Sequence, residues 1–321
     1  MLNILVAVPV DEGHKKRLHE ASKGNPIVYI DKEKATKELI ENADVIFGNV
    51  DPKLLVHAKK LKLLQLLTAG TDGYIGALPE GATLCNTTGA FSLAISEHLL
   101  AMLLMLLKRM HQYRDNQNKA LWRDMGNVRS VEDLTVLVLG MGDIGGAFAK
   151  KVKALGAYVI GVRRTNAEKP PYADEVYANL SDGDLDKLIT RADVIALAMP
   201  NTGETRGIMD KLRISMMKKD AILLNVGRGN AVDTEALTDA VEKYGILCGL
   251  DVTDPEPLPA THRLWKMENA LITPHVSGFF HLKQTHDNMV NIAAQNIERL
   301  LGGIELTNVV DLSTGYRRIE Q

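Results

Sequence analysis

Three side chains suited to carbonyl and acid–base chemistry stand directly after apolar, strand-like runs. They are Arg228, Glu256 and His275, and the preceding runs are 221–227, 249–255 and 271–274. Ligands of parallel sheets bind beyond the carboxyl ends of the strands, so we expect the three side chains to lie near one another. A cation, a carboxylate and an imidazole are what reversible hydride transfer at an oxygen-bearing carbon needs. Taken singly, each residue also has a purely structural explanation.

A glycine-rich turn marks a second candidate site. Residues 140–145 have the sequence GMGDIG, follow the apolar run 135–139 and open a helical pattern that ends near Gly156. A second strand is predicted at 158–162. Glycines at this spacing allow a tight turn and let the backbone approach a pyrophosphate at the helix N-terminus. The pattern predicts a dinucleotide-binding βαβ unit with the cofactor-binding residues Gly140, Gly142, Asp143, Ile144 and Gly145.

Arg163 and Arg164 stand at the end of the second predicted strand. NAD-preferring sites of this type carry an acid there, which binds the ribose 2′-hydroxyl and repels a 2′-phosphate. Two guanidinium groups favour the 2′-phosphate instead. We therefore expect NADP, as NADPH, to be the preferred cofactor and NAD the weaker one. The alternative is that both arginines only form a solvent-exposed end of the strand and bind no ligand.

Composition and charge narrow the class of protein. The 321 residues carry a formal net charge of −2, and 45% of them are hydrophobic, which suits two α/β domains. The interspersed charges favour neither nucleic acid nor a membrane as a partner. The apolar segment 99–107 is too short to span a bilayer, and residues 1–9 are typical of a strand rather than a leader. We expect a cytoplasmic protein that binds small molecules and a second copy of itself.

The two cysteines, Cys85 and Cys248, both lie in apolar strand-like runs. This placement predicts buried thiols in a reducing compartment. The sequence predicts neither a disulfide framework nor a metal site.

The elements that must position these residues follow from alternating strand-like and helical patterns. The remaining predicted strands are 3–8, 26–30, 44–49, 63–68, 82–86, 193–199, 221–226, 247–252 and 270–273. This alternation predicts parallel sheets with crossover helices. One long helix is predicted from Ser92 to about Lys119. A last helix at 282–301 returns to the first domain and makes that domain discontinuous.

We expect two domains with the ligand site in the cleft between them. The first consists of residues 1–91 and 279–321, and the second of residues 92–278. The helical stretch from Ser92 to Leu107 is so apolar that it requires burial on more than one side. It therefore crosses between the domains or lies at a subunit interface, and we expect a two-fold homodimer.

Five segments make the chain resemble the D-isomer-specific 2-hydroxyacid dehydrogenases, a family that includes glyoxylate/hydroxypyruvate reductases, D-lactate dehydrogenase and D-3-phosphoglycerate dehydrogenase. In the family's order they are 137–145, 199–207, 224–229, 251–259 and 273–278. The similarity runs from about Leu63 to His275 and, in domain layout, over the whole chain. It implies an α/β fold with two doubly wound parallel-sheet domains, one a Rossmann cofactor domain and the other a discontinuous flavodoxin-like substrate domain.

The resemblance implies a role for each catalytic candidate. Arg228 would bind the carboxylate of a 2-oxo acid and polarise its carbonyl group. His275, as an imidazolium, would donate a proton to the carbonyl oxygen while the nicotinamide delivers hydride to the carbon. Glu256 would bind the other imidazole nitrogen and stabilise the protonated form. Asp251 would orient the nicotinamide carboxamide.

The resemblance also implies binding residues outside this catalytic set. The turn 68–72 is similar to a family loop whose backbone N–H groups hold the substrate carboxylate; the alternative is a strand exit without a ligand. The predicted substrate-binding residues are Asn49, Ala69, Gly70, Arg228 and His275. The further predicted cofactor-binding residues are Pro200, Thr205, Val226 and Asp251.

Departures from the family pattern bear on the substrate. Formate dehydrogenases of this superfamily carry glutamine at the position of Glu256, which disfavours formate oxidation. The Arg163–Arg164 pair and the segment 251–259 favour the glyoxylate/hydroxypyruvate reductases. The leading prediction is therefore NADP(H)-dependent reduction of a small 2-oxo acid to the D-2-hydroxy acid.

Two other functions remain open at this point. A D-3-phosphoglycerate dehydrogenase would need cations near the substrate phosphate, for which Lys53 and His57 are weak candidates. A dinucleotide-sensing scaffold similar to the corepressors of this family would keep the same fold and catalytic residues. Residues Phe279, Phe280 and His281 either shape the pocket or pack against the start of the last helix.

Overall fold

The computed structural model describes residues 1–164, 169–178 and 181–318. The chain divides into two compact units, the first formed by Met1–Ala90 with Phe280–Gln321 and the second by Phe91–Phe279. These limits lie one residue from those predicted for the two domains. The assignment of substrate to one domain and cofactor to the other stays a prediction.

The described residues form twelve strands, nine α helices and five short 3-10 helices. The strands are β1 (Ile4–Val6), β2 (Ile27–Tyr29), β3 (Val45–Phe47), β4 (Leu63–Gln65), β5 (Thr83–Cys85), β6 (Thr135–Leu139), β7 (Tyr158–Arg163), β8 (Glu175–Ala178), β9 (Val194–Leu197), β10 (Ile222–Asn225), β11 (Leu247–Leu250) and β12 (Ala270–Ile272). The α helices are α1 (Glu12–Ser22), α2 (Lys37–Asn42), α3 (Ser92–Leu107), α4 (Met110–Asn118), α5 (Asp143–Ala154), α6 (Asp182–Arg191), α7 (Lys211–Ser215), α8 (Thr234–Tyr244) and α9 (Lys283–Leu301). The 3-10 helices are Lys32–Lys34, Pro52–His57, Ile75–Ala77, Gly229–Ala231 and Arg263–Lys266.

The first unit contains a parallel sheet with strand order β2-β1-β3-β4-β5, which is the flavodoxin-like order. Alternate residues of each strand point to opposite faces, and both faces are buried. One core cluster includes Leu5, Ile46, Leu64 and Leu84. The other joins the sheet to α1 and α9 through Ile4, Phe47, Leu18, Val290 and Ala293. The last helix thus belongs to the first unit because its apolar face completes that core.

The second unit contains a seven-stranded parallel sheet with strand order β12-β11-β10-β9-β6-β7-β8. The chain builds outward from β6 through β7 to β8 and then returns to the other side of β6 as β9. The strand order therefore reverses between β6 and β9. Doubly wound sheets bind their ligands beyond the carboxyl ends of the strands at such a point.

All eleven predicted strands are present, most of them one to three residues shorter than predicted. Strand β8 was not predicted, since its sequence, EVYA, is a short run that begins with a charged residue. It lies at the sheet edge, where it pairs with β7 alone, and all four of its residues are only partly buried. An edge strand needs less apolar surface than a central one.

The prediction of one helix from Ser92 to about Lys119 is wrong. Helix α3 ends at Leu107, Arg109 has φ 55°, and α4 begins at Met110. The last carbonyl groups of α3 find partners outside the helix. The Arg129 N–H donates to the Leu107 oxygen, and the His111 Nδ1 lies 3.2 Å from the Met105 oxygen. The helix therefore stops without a glycine or proline.

Candidate active site

Backbone hydrogen bonds continue across the sheet of the second unit beyond the ends of its strands. Residues that follow β9, β10, β11 and β12 each donate to a carbonyl group at the end of the neighbouring strand. The bonds, at 2.9–3.1 Å, are Ala198 N to Leu139 O, Val226 N to Leu197 O, Asp251 N to Asn225 O and Thr273 N to Leu250 O. The strand exits that carry the predicted residues therefore lie side by side at one edge of the sheet.

The imidazole of His275 is paired with the carboxylate of Glu256. Nδ1 of His275 lies 2.6 Å from Oε1 of Glu256, and the two side chains are 45% and 43% exposed. An ionised carboxylate can only accept, so Nδ1 carries the proton. The Nε2 atom of His275 is then the nitrogen that can exchange a proton with a ligand.

The carboxylate of Asp251 holds the loop that carries His275. Asp251 is 1% exposed, and its two carboxylate oxygens accept from the Val276 N–H, the Ser277 N–H and the hydroxyl groups of Thr273 and Ser277 at 2.5–3.0 Å. Burial raises the pKa of this carboxyl, but the four hydrogen bonds outweigh it and hold the pKa below its usual value. The predicted contact with the nicotinamide carboxamide stays a prediction.

Arg228 is placed by close backbone packing between two strand-exit loops. A Cβ atom at Gly229 would lie 1.9 Å from the Thr253 oxygen, so only glycine lets the loop after β10 approach the loop after β11. The Arg228 carbonyl accepts from Asn225 Nδ2 at 2.9 Å, and Nη1 donates to the Gly227 oxygen at 2.8 Å. Arg228, whose side chain is partly buried, thus lies at the same edge of the sheet as the His275 loop.

The glycine turn at the start of α5 fits a pyrophosphate. Gly140 has φ 89°, and a Cβ atom there would lie 2.6 Å from Met199 Cγ; one at Gly145 would lie 2.3 Å from the Gly140 oxygen. A Cβ atom at Gly142 would meet nothing within 4 Å, which leaves open space at the N-terminus of α5. No side chain caps this helix. Asp143 and Ile144 form its first turn, at the positive end of the helix, where phosphate groups bind in dinucleotide folds.

Arg163 ends β7 beside this turn, because the carbonyl of Val162 accepts from the N–H groups of Gly140 and Met141. The Nε of Arg163 is buried without a hydrogen-bond partner among the described residues. A buried donor left in this way is destabilising. Arg164 is exposed. Arg163 thus lies next to the glycine turn, and its predicted contact with a 2′-phosphate stays a prediction.

The predicted residues after β9 and β10 also lie at this edge. The Thr205 hydroxyl donates to the Pro200 oxygen at 2.6 Å and accepts from the Thr202 N–H at 2.9 Å, which closes the loop after β9 on itself. Val226 is 7% exposed and bonds to β9 through its backbone. Both loops are therefore held by hydrogen bonds within the second unit.

In the first unit, Asn49 holds the predicted substrate loop after β4. Its Oδ1 accepts from the Leu67 N–H at 2.8 Å, and its Nδ2 donates to Thr68 Oγ1 at 3.0 Å. Thr68 Oγ1 donates in turn to the Gly70 oxygen at 2.8 Å, and the Ala69 oxygen accepts a bond of 2.9 Å. The carbonyl groups of Ala69 and Gly70 thus accept hydrogen bonds from within the unit.

The three residues after the His275 loop differ in their surroundings. Phe279 is 48% exposed. Phe280 packs on α9, with its ring centroid 5.1 Å from that of His286, which favours a packing role for that ring. His281 is exposed.

Both cysteines are buried free thiols, as predicted, and burial raises the pKa of each to about 12. Over residues 1–164, 169–178 and 181–318, no three histidine, cysteine or acidic side chains group as metal ligands would. Within the same ranges no helix combines the length and apolarity needed to cross a bilayer.

Comparison with known proteins relates this site to one family. Residues 100–277 match the family model described as D-isomer specific 2-hydroxyacid dehydrogenase, NAD binding domain. Over 275 residues the chain is 32% identical to glyoxylate/hydroxypyruvate reductase B of Pectobacterium atrosepticum, covering 82% of this chain and 83% of that protein.

Solved structures extend the similarity to the whole fold. A D-isomer specific 2-hydroxyacid dehydrogenase family protein from Aeromonas salmonicida has a TM-score of 0.85 and 31% identity, with 97% of this chain and 99% of that chain covered. A D-isomer specific 2-hydroxyacid dehydrogenase from Xanthobacter autotrophicus, in complex with NADPH and MES, has a TM-score of 0.82 and 25% identity, with 98% and 99% covered. The likeness includes both parallel sheets.

Proposed function

The chain belongs to the D-isomer specific 2-hydroxyacid dehydrogenase family, and on that basis we propose that it uses NADPH to reduce a small 2-oxo acid of the glyoxylate or hydroxypyruvate type to the D-2-hydroxy acid. The observation that carries this proposal is the His275–Glu256 pair at the carboxyl edge of the sheet, 2.6 Å between Nδ1 and Oε1. Glyoxylate/hydroxypyruvate reductase B of Pectobacterium, at 32% identity, supports the substrate class.

Each step falls to a named side chain. Arg228 binds the substrate carboxylate and polarises the carbonyl group. His275 gives the proton on Nε2 to the carbonyl oxygen, and Glu256 keeps the ring oriented and stabilises its positive charge. The backbone of Ala69 and Gly70, held by Asn49, binds the carboxylate as well. A bound dinucleotide supplies the hydride that reduces the carbon.

We propose NADPH rather than NADH because of the residues at and beside the glycine turn. The first turn of α5 and Gly142 would hold the pyrophosphate, and Arg163 with Arg164 would bind the 2′-phosphate. The position of Arg163 beside the glycine turn supports this, since Val162 accepts from the N–H groups of Gly140 and Met141. Pro200, Thr205 and Val226 would contact the rest of the cofactor, and Asp251 would order the nicotinamide end.

Initial rates test the proposal directly. Glyoxylate and hydroxypyruvate are offered with NADPH and with NADH, and oxidation of the nicotinamide is followed by absorbance. We expect turnover of at least one substrate, faster with NADPH. Turnover with NADH alone would reject the cofactor assignment, and no turnover of either substrate would reject the substrate class.

We also infer that the protein forms a homodimer through its second unit. Helix α3 buries much of its apolar surface within the unit itself, so the apolar surface left for a partner lies at its end and beyond. The exposed side chains there are Met105, Met110, Leu121, Trp122 and Val128. Such a surface on one chain favours a self-complementary two-fold contact. Light scattering at micromolar concentration should give twice the chain mass, and the mass of one chain would contradict the dimer.

A further inference from the structure

The backbone of His275 is held in a conformation that residues with a Cβ atom rarely adopt. Its φ is 53°, in the left-handed region. Such a residue keeps this conformation only when its surroundings impose it. The backbone N–H of His275 donates to the backbone carbonyl of Asp251 at 2.8 Å, and it lies 3.0 Å from the backbone carbonyl of Thr273. The direction of the imidazole therefore depends on how firmly Asp251 and Thr273 are themselves held.

The hydroxyl of Thr273 connects this loop to helix α3. A hydroxyl has one proton, and Thr273 gives it to the Asp251 carboxylate at 2.6 Å, because the ionised carboxylate can only accept. The Thr273 oxygen therefore accepts from Nε2 of His98, which lies 3.0 Å away. The same Nε2 is 3.9 Å from Asp251 Oδ1. The two hydrogen bonds therefore run in one direction: His98 donates to Thr273, and Thr273 donates to Asp251.

A second contact joins the same helix face to the loop. A Cβ atom at Gly278 would lie 3.1 Å from Ile95 Cδ1, so Ile95 packs directly on the loop backbone there. Ile95 and His98 are three residues apart on α3 and share one face. The helix thus contacts the loop near both ends, at Thr273 and at Gly278, with His275 between them.

We propose that His98 is a positioning residue for His275, acting through Thr273 and Asp251 and touching neither substrate nor cofactor. The proposal rests on the proposed function, in which His275 donates the proton. Loss of the His98 bond frees the Thr273 hydroxyl to turn away from Asp251. The carboxylate then loses one of four donors, and the loop no longer holds the left-handed backbone of His275 in a single position.

Paired variants of the full-length protein test this role. His98→Leu removes the donor, whereas His98→Gln keeps an N–H donor on a side chain of similar reach. We expect His98→Leu to lower kcat by about tenfold through misplacement of the acid, with KM for NADPH little changed. Hydrogen exchange at residues 275–278 should become faster in the same variant. His98→Gln should recover most of the rate and of the protection, and Thr273→Val should behave like His98→Leu.

Failure of this inference differs from failure of the proposed function. If the wild-type protein turns over neither glyoxylate nor hydroxypyruvate, the proposed function is wrong whatever the His98 variants do. If His275→Ala is inactive while folded His98→Leu matches wild type in kcat and in exchange, the positioning role alone is wrong. Equal losses in His98→Leu and His98→Gln, with equal melting temperatures, would also overturn it, because they would show that the donor is not what matters.

Discussion

Nδ1 of His275 lies 2.6 Å from Oε1 of Glu256, and this contact decides which imidazole nitrogen can reach a ligand. The two residues are nineteen positions apart in sequence, on the loops that follow β12 and β11. Adjacent parallel strands bring these loops together at the sheet edge. The Nδ1–H group donates to the carboxylate, so Nε2 is the nitrogen that can exchange a proton with a ligand.

Glu256→Gln isolates the charge in this contact from its geometry. The amide oxygen can still accept from Nδ1, but the negative charge that stabilises the imidazolium is lost. We expect kcat/KM for the 2-oxo acid to fall by about tenfold, since hydrogen bonds to charged groups are roughly twice as strong as neutral ones. Fluorescence titration should give an unchanged Kd for NADPH. Rates equal to wild type would mean that Glu256 only orients the ring.

The double variant Arg163→Ala/Arg164→Ala tests the cofactor assignment. Without the guanidinium groups the 2′-phosphate has lost its charge-assisted hydrogen bonds, so affinity for NADPH should fall by about tenfold or more. Binding of NADH should change little. Titration of each dinucleotide by fluorescence separates the two effects. Equal losses for both would show that these arginines do not bind the 2′-phosphate.

Gly142 and Gly145 form a matched pair that distinguishes a ligand-facing glycine from a packing one. Gly145→Ala should destabilise folding by about 1–3 kcal/mol, because its Cβ would lie 2.3 Å from the Gly140 oxygen. Gly142→Ala meets no neighbour in the protein, so it should fold with a smaller loss but bind NADPH at least about tenfold more weakly. Denaturant unfolding and dinucleotide titration measure the two quantities. A Gly142→Ala protein with wild-type affinity would place the pyrophosphate elsewhere.

His286 makes stability depend on pH. Burial, and then the nearby charge of His14, lower the pKa of His286 below 6.5 in the folded protein. The unfolded chain therefore takes up a proton first as pH falls through 6.5, and the free energy of unfolding decreases from there down to the folded-state pKa. His286→Gln removes this titration while leaving His14, Asp11 and Asp287 in place.

The comparison is made by denaturant unfolding at about pH 7.5 and about pH 5.5. Wild type should lose more free energy of unfolding between these values than His286→Gln. Glutamine can still donate to the Pro9 oxygen that His286 contacts at 2.8 Å, so the variant keeps that bond. Equal losses of the free energy of unfolding in the two proteins would show that His286 does not cause this pH dependence.

Much of this site could be predicted because its residues follow strands. The apolar runs before Arg228, Glu256 and His275 are local patterns, and parallel pairing places their ends together without further information. The glycine spacing at 140–145 is equally local. The break at Arg109 could not be predicted, since the helix ends through distant partners, among them the Arg129 N–H.

The hydrogen bond between His98 and Thr273 also could not be predicted from the sequence. A histidine on an apolar helix can lie in many different environments, so its type and position predict no partner. Thr273, its partner here, is 175 positions away in the sequence. For Asp251, the resemblance to the family predicted a contact with the cofactor. The structure adds the four donors that surround its carboxylate, and these come from the three-dimensional course of the loop.

The most direct test of the central claim is the turnover of His275→Ala beside wild type, with NADPH and the better of glyoxylate and hydroxypyruvate, and with NADPH affinity measured on the same samples. Loss of the proton donor should lower kcat by roughly 10²–10⁴-fold while the Kd for NADPH stays near that of wild type. A folded His275→Ala protein that turns over within about threefold of wild type, a change too small for loss of a general acid, would contradict the account.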